Sequence, residues 1–190
     1  MPKRTSEPIQ IYQLRVTLRG SHPAIWRQIQ VRSDITLGKL HRVLQVVMGW
    51  TGTHLHQFTI RGKQYWIPDE GDMDLRKKID ERNHRLTDVV SRQTSWFTYE
   101  YDFGDQWTHE LLVENILSPE AGVQYPLCLE GARACPPEDV GGTVGYENLL
   151  EAIHDPNHPQ HEKYLEWIGD SFDPEAFDAD EVNRKLRQLK

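Results

Sequence analysis

From Ile9 onward the chain alternates. In "IYQLRVTLRG", Tyr12, Leu14, Val16 and Leu18 fall on one side and Gln13, Arg15 and Thr17 on the other, the two-residue period of a half-buried strand. "SHPAI" is turn chemistry. "IWRQIQV" alternates again with Ile25, Ile29 and Val31 on one face, which predicts a hairpin or two neighbouring strands. The period then lengthens. Leu37, Leu40, Val43, Leu44 and Val47 follow helical spacing, Thr36 can cap the start, and Gly49 stands where a left-handed C-terminal residue belongs. "HLHQFTI" and "KQYWI" read as strands around a turn at Gly62.

The densest pattern is "YEYDFGDQWTHELLVE". Phe97, Tyr99, Tyr101 and Phe103 share one face, and Trp107, His109, Leu111 and Val113 share one face of the next strand. Both sets must point to the same side, because a slip by one residue would flip one of them. A three-residue loop, Gly104-Asp105-Gln106, meets that demand. It pairs Phe103 with Trp107, Tyr101 with His109 and Tyr99 with Leu111. The same register sets Glu100 opposite Glu110 on the outer face, near Asp102, and like charges there call for an arginine, a cation or water. "DFG" echoes a protein kinase, but no glycine-rich nucleotide loop or "HRD" precedes it.

Towards the C-terminus the period is helical. Tyr146, Leu149, Leu150 and Ile153 form one stripe. His161, Tyr164, Leu165 and Ile168 form a second, stopped by Gly169. Asp178 can cap a last helix carrying Val182, Leu186 and Leu189. The prediction is an α+β domain over residues 1–190: a largely antiparallel sheet with an inserted helix over 9–117, a polar surface insertion at 68–93 with a short helix in "RLTDVV", one ordered loop at 118–145, and helices over 146–190. Hairpin, helix and further strands is also the order of a β-grasp fold.

Composition narrows the class of function. A chain of 190 residues is long enough to bury a core. No apolar run has the length of a membrane span, and "MPKRTSEPIQ" lacks a signal-peptide core, so the expected location is the cytoplasm. The net charge of −7 argues against a broad phosphate-binding surface and ranks nucleic-acid binding through the short basic tails last. Two cysteines, Cys128 and Cys135, are too few for a disulfide framework.

Two constellations carry chemistry. His54 and His56, placed on one strand face by "HLH", can share a metal, with His109, Cys128 and Cys135 as candidate further ligands and zinc as the matching ion. The competing reading gives these histidines backbone hydrogen bonds and makes the cysteines small buried hydrophobes. The second constellation is "CPPEDVGG", whose prolines and glycines fix a rigid loop presenting Glu138 and Asp139, with Arg133 close by in sequence.

Taken in order, "IYQLRVTLRG…PAIWRQIQV", "ITLGKLHRVLQVVMGW…HLHQF", "YEYDFGDQWTHE" and "CLEGARACPPEDVGGTVGYENLLEAI" resemble the Ri-plasmid open-reading-frame-three family, the plasmid pRi ORF-3-like proteins. The resemblance runs from about Ile9 to Leu186. It implies a bacterial or archaeal protein, often plasmid-borne or near mobile elements, and no established activity. His54, His56, Asp102, Gly104, Asp105, Trp107, His109, Cys128, Arg133, Cys135, Glu138, Asp139, Gly141 and Gly142 match the family's motifs.

Two functional expectations follow. The first is a binding or interaction module for a protein or small molecule, with a groove lined by Trp50, Tyr101 and Trp107 and with Asp102, Asp105, Arg133, Glu138 and Asp139 at its rim. The second is a metal-dependent hydrolase or nuclease, with Glu138 or Asp139 as the base toward a metal-bound water.

Overall fold

The computed structural model describes residues 8–68, 78–90, 96–169 and 172–189. Strands β1 (Ile11–Leu18) and β2 (Trp26–Arg32) form the first hairpin and lead into helix α1 (Leu37–Met48). Strands β3 (His56–Ile60), β4 (Lys63–Trp66) and β5 (Lys78–Asp80) follow, then a 3-10 turn at Glu81–Asn83 and the one-turn helix α2 (Leu86–Val89). Next come β6 (Trp96–Tyr101), β7 (Trp107–Leu117) and β8 (Leu127–Ala132), and last the helices α3 (Gly142–His154), α4 (His161–Ile168) and α5 (Ala179–Leu186). The eight strands make one sheet in the order β5-β4-β3-β6-β7-β1-β2-β8, with every pairing antiparallel except β4 with β5. The fold is α+β, as the periodicities predict.

The alternation of β1 becomes a burial pattern: Tyr12, Leu14, Val16 and Leu18 are all in the core. The apolar stripe of α1 lies against the same face. The Thr36 hydroxyl accepts from the Lys39 amide at 3.3 Å and caps the helix start. At the other end Gly49 takes φ +92°, a conformation that a side chain would strain.

Four expectations change on contact with the structure. The hairpin loop spans five residues, Asp102–Gln106, not three. Tyr101 pairs with Trp107, Tyr99 with His109 and Phe97 with Leu111. The shift is two residues, so each side chain keeps its face. Asp102 and Gln106 take positive φ, the Gln106 amide donates to the Asp102 carbonyl at 2.6 Å, and the Asp102 carboxylate accepts from the Gly104 amide. On the outer face Glu100 stands opposite Thr108 and Thr98 opposite Glu110, so the expected carboxylate clash does not arise. Glu110 meets Arg19 at 3.0 Å, and Glu100 accepts from Gln57 at 2.9 Å.

Second, part of the 68–93 stretch lies outside the described residues, and its described part is not a surface excursion. Glu81, Leu86, Val89 and Val90 are buried, and the backbone of this segment bonds to that before and at the start of α1 (Leu86 amide to Ile35 carbonyl, Leu37 amide to His84 carbonyl). Third, residues 118–145 hold β8, which pairs with β2, rather than one continuous loop. Its six residues, "LCLEGA", carry no clear alternation, so the partner strand decides the outcome. Fourth, the stripe on α4 places no residue in the fully buried class; Tyr164 and Ile168 only rest against the core.

One buried charge was hidden by its apolar neighbours. Arg27 shares the inner face of β2 with Ile25, Ile29 and Val31, and is 2% exposed. Its guanidinium donates to the carbonyls of Val47, Trp26, Ala132 and Arg133 at 2.8–2.9 Å and stacks over Phe177. It joins the end of α1 to the end of β8 and satisfies the hydrogen-bonding demand of a buried cation.

Candidate functional site

Three loops meet at one end of the sheet: the link from α1 to β3 (residues 49–55), the hairpin loop 102–106, and the proline-rich loop 133–141. Their meeting is held by specific bonds. The Trp50 indole N–H donates to the Pro136 carbonyl at 2.9 Å. The Tyr101 hydroxyl donates to one Glu138 oxygen, and the Thr51 hydroxyl donates to the other at 2.6 Å. The Asp105 carboxylate accepts from the Gly141 amide at 3.1 Å. Gly142, at φ +69°, lies so close to the hairpin that a Cβ there would stand 2.6 Å from the Asp105 carbonyl oxygen. The glycines of "DVGG" thus let the loop lie flat on the hairpin tip.

His54 stands in this junction between two carboxylates. Its Nδ1 is 3.6 Å from Asp102 and its Nε2 is 3.3 Å from Asp139. The Asp102 side chain is 13% exposed and that of Asp139 is 74% exposed. Asp139 takes φ +61°, a turn conformation that carries its carboxylate back toward the histidine. Potential ligand atoms of the three residues all lie within 4.8 Å of one another, and among the described residues no other group of three His, Cys, Asp or Glu side chains does so.

The five expected metal ligands therefore separate. Only His54 belongs to this cluster. His56 is buried elsewhere, with its Nε2 3.0 Å from both oxygens of fully buried Glu81 and its ring stacked on His41 at 3.5 Å. His54 precedes β3 while His56 begins it, which is why the two rings do not share a strand face. His109 is fully buried beside Tyr99 and Trp50. Its Nδ1 lies 3.3 Å from the Tyr99 carbonyl and so carries the proton, and burial holds the ring's pKa down at about 4. Cys128 and Cys135 are free thiols; burial pushes the first up to about 11 and the second further. The backbone of Cys128 is clasped by the Asn183 side chain, which accepts from its amide at 2.8 Å and donates to its carbonyl at 2.7 Å.

The expected aromatic groove is also closed. Trp50, Tyr101 and Trp107 are buried and pack on one another, with Trp50 stacked 5.0 Å from Tyr101 and tilted against Trp107 at 5.9 Å. Desolvation and the Glu138 contact push the Tyr101 hydroxyl up to about 12. Arg133 is not at a rim. It is 8% exposed, bonds to Glu175 at 2.7–2.9 Å and to the Pro23 carbonyl at 3.1 Å, and so ties the C-terminal segment to the first hairpin. What is open lies one ring further out: a cleft of about 430 Å³ where Trp50, Pro136, Pro137 and Glu138 face Trp167 and Phe172. Sequence reasoning missed Glu81, His41 and Thr51. Glu81 sits in a polar stretch that reads as solvated, and only its distant partner His56 reveals otherwise.

An α+β protein with one mainly antiparallel sheet and a His–Asp junction between three loops is the class that these observations define. The chain belongs to the plasmid pRiA4b ORF-3-like protein family, whose model matches residues 10–181. It is 39% identical over 184 residues to the uncharacterized protein y4hQ of Sinorhizobium fredii, covering 94% of this chain and 92% of that one. It is also similar to the crystal structure of a protein of unknown function, MM3350, from Methanosarcina mazei Go1, with a TM-score of 0.86 and 36% identity over 93% of this chain and 99% of that chain. Among the described residues no helix is long and apolar enough to cross a membrane.

Proposed function

We propose that the protein is a ligand-binding module organised by a divalent cation at the three-loop junction. His54 Nε2 and Asp139 Oδ1 are the ligands, and Asp102 orients the ring from its other nitrogen. The observation that carries this reading is the 3.3 Å separation of those two atoms with a second carboxylate behind the ring. Two donors at about 2.0–2.2 Å from a tetrahedral ion stand about 3.4 Å apart, so one ion fits between them with little movement. A carboxylate behind a ligating histidine is the usual partner that fixes its tautomer and raises its basicity. Water or a ligand group completes the coordination. The cleft beside Trp50, which shares Glu138 with this loop, takes the apolar part of the same ligand.

Binding is favoured over hydrolysis because the expected base is engaged. Both Glu138 oxygens already accept hydrogen bonds from Tyr101 and Thr51. Asp139 is used as a ligand, which leaves no carboxylate of that loop to take a proton from water.

Calorimetric titration of the metal-free chain with zinc or manganese tests the site. One ion per chain is expected. His54→Ala and Asp139→Asn should each weaken binding at least tenfold, and Asp102→Asn by about tenfold through loss of orientation. An affinity unchanged in His54→Ala would overturn the assignment, as would no uptake at millimolar metal.

A further inference from the structure

A cavity of about 530 Å³ lies at the other end of α1, away from the junction. Its lining is charged in a way that the chain as a whole is not. Arg32, Lys39, Arg42 and Arg85 face it, with Asp34 as the lone carboxylate, in a protein of net charge −7 with more acids than bases. The four cations come from three places: the end of β2, two positions of α1, and the residue before α2. Arg32 and Asp34 close on each other at 2.8–2.9 Å, so the pull on an anion rests on Lys39 and Arg85 beside that pair.

We propose that this cavity binds a phosphomonoester carried on a small apolar or aromatic body. The fork of Arg32 is taken by Asp34, and the Arg85 guanidinium presents the forked donors that match the oxygens of phosphate, with the Lys39 ammonium beside the same cavity. The remaining wall is apolar: Ile35, Val43 and Leu189, with the Tyr125 ring and Pro126 beside them. That combination suits a molecule with an anionic head and a body that prefers to leave water. Thr36, at the start of α1, is also in the lining, so the positive end of the helix adds to the field of the side chains. The volume is in the range of sites for small organic ligands. The cavity is lined by residues distinct from those of the His54 junction and does not depend on the cation there.

The test is calorimetric titration of the full chain at low salt with adenosine monophosphate, adenosine, and octathymidylate with and without a 5′-phosphate. Lys39→Glu and Arg85→Glu are the variants. Both positions are exposed, and an acid in the first turn of α1 suits the helix dipole, so the fold is retained and circular dichroism checks it. Adenosine monophosphate should bind, adenosine should not compete, and each reversal should weaken binding about tenfold or more. Oligonucleotide binding that requires the 5′-phosphate supports the same head group and assigns a nucleic-acid end as its source. The proposal is overturned by no binding of the monophosphate at about 10 mM. It is equally overturned by affinities indifferent to both reversals, or by oligonucleotide binding that ignores the 5′-phosphate.

Discussion

His109 is fully buried, and the neutral ring is the form that its surroundings accept. With a pKa of about 4 in the folded chain against 6.5 when exposed, the unfolded chain takes up the proton first as the pH falls. Stability is therefore complete above about pH 6.5 and is lost progressively as the pH falls toward 4. The shift corresponds to about 3 kcal/mol over that window. His41, held down at about 3 by burial and by the neighbouring His56, steepens the same slope. Urea unfolding across that range should show the decline, and His109→Gln should flatten it. A slope unchanged in the variant would assign the loss to other groups. The inward direction of His109 was legible in the sequence, because alternation fixes the face. Its partner was not, because the loop length sets which residue stands opposite, and positive-φ residues such as Asp102 and Gln106 leave no periodic trace.

At the scale of elements, the junction depends on how closely the 133–141 loop approaches the hairpin. Gly142 is the contact point, with no room for a Cβ and a left-handed backbone. Gly142→Ala should lower stability by about 2 kcal/mol, combining the left-handed strain with the displacement of the loop from Asp105. The same substitution should weaken cation uptake, since Asp139 rides on that loop; melting temperature and metal titration read the two effects. Normal stability and normal uptake together would mean that the loop can lift without consequence. Much of this junction was visible in advance. The loop "CPPEDVGG" and the hairpin each carry a signal in the sequence, and the structure brings them together. The metal set failed because a shared strand face was assumed for His54 and His56, whereas the strand starts only at the second of them. The segment around Glu81 failed for a related reason: a buried acid is recognisable only through the residue it pairs with.

Over the whole molecule, α1 separates two chemically opposed ends. Its start faces the arginine-lined cavity and its end faces Trp50 and the junction, and twelve residues of helix span about 18 Å. That is well beyond the screening length of about 8 Å at physiological salt. Saturation with zinc should therefore change the affinity for adenosine monophosphate by less than about twofold, and a larger coupling would require α1 to move as a unit. The central place of β1 has a further consequence, which concerns time. One neighbour, β2, follows directly, but the other is β7, whose Leu117 pairs with Ile11. During synthesis β1 must wait for β7, Trp107–Leu117, before its second edge is closed. Folding is set by that distant pairing, which slows the search relative to proteins built from local contacts and leaves the apolar face of the first hairpin in need of protection during synthesis.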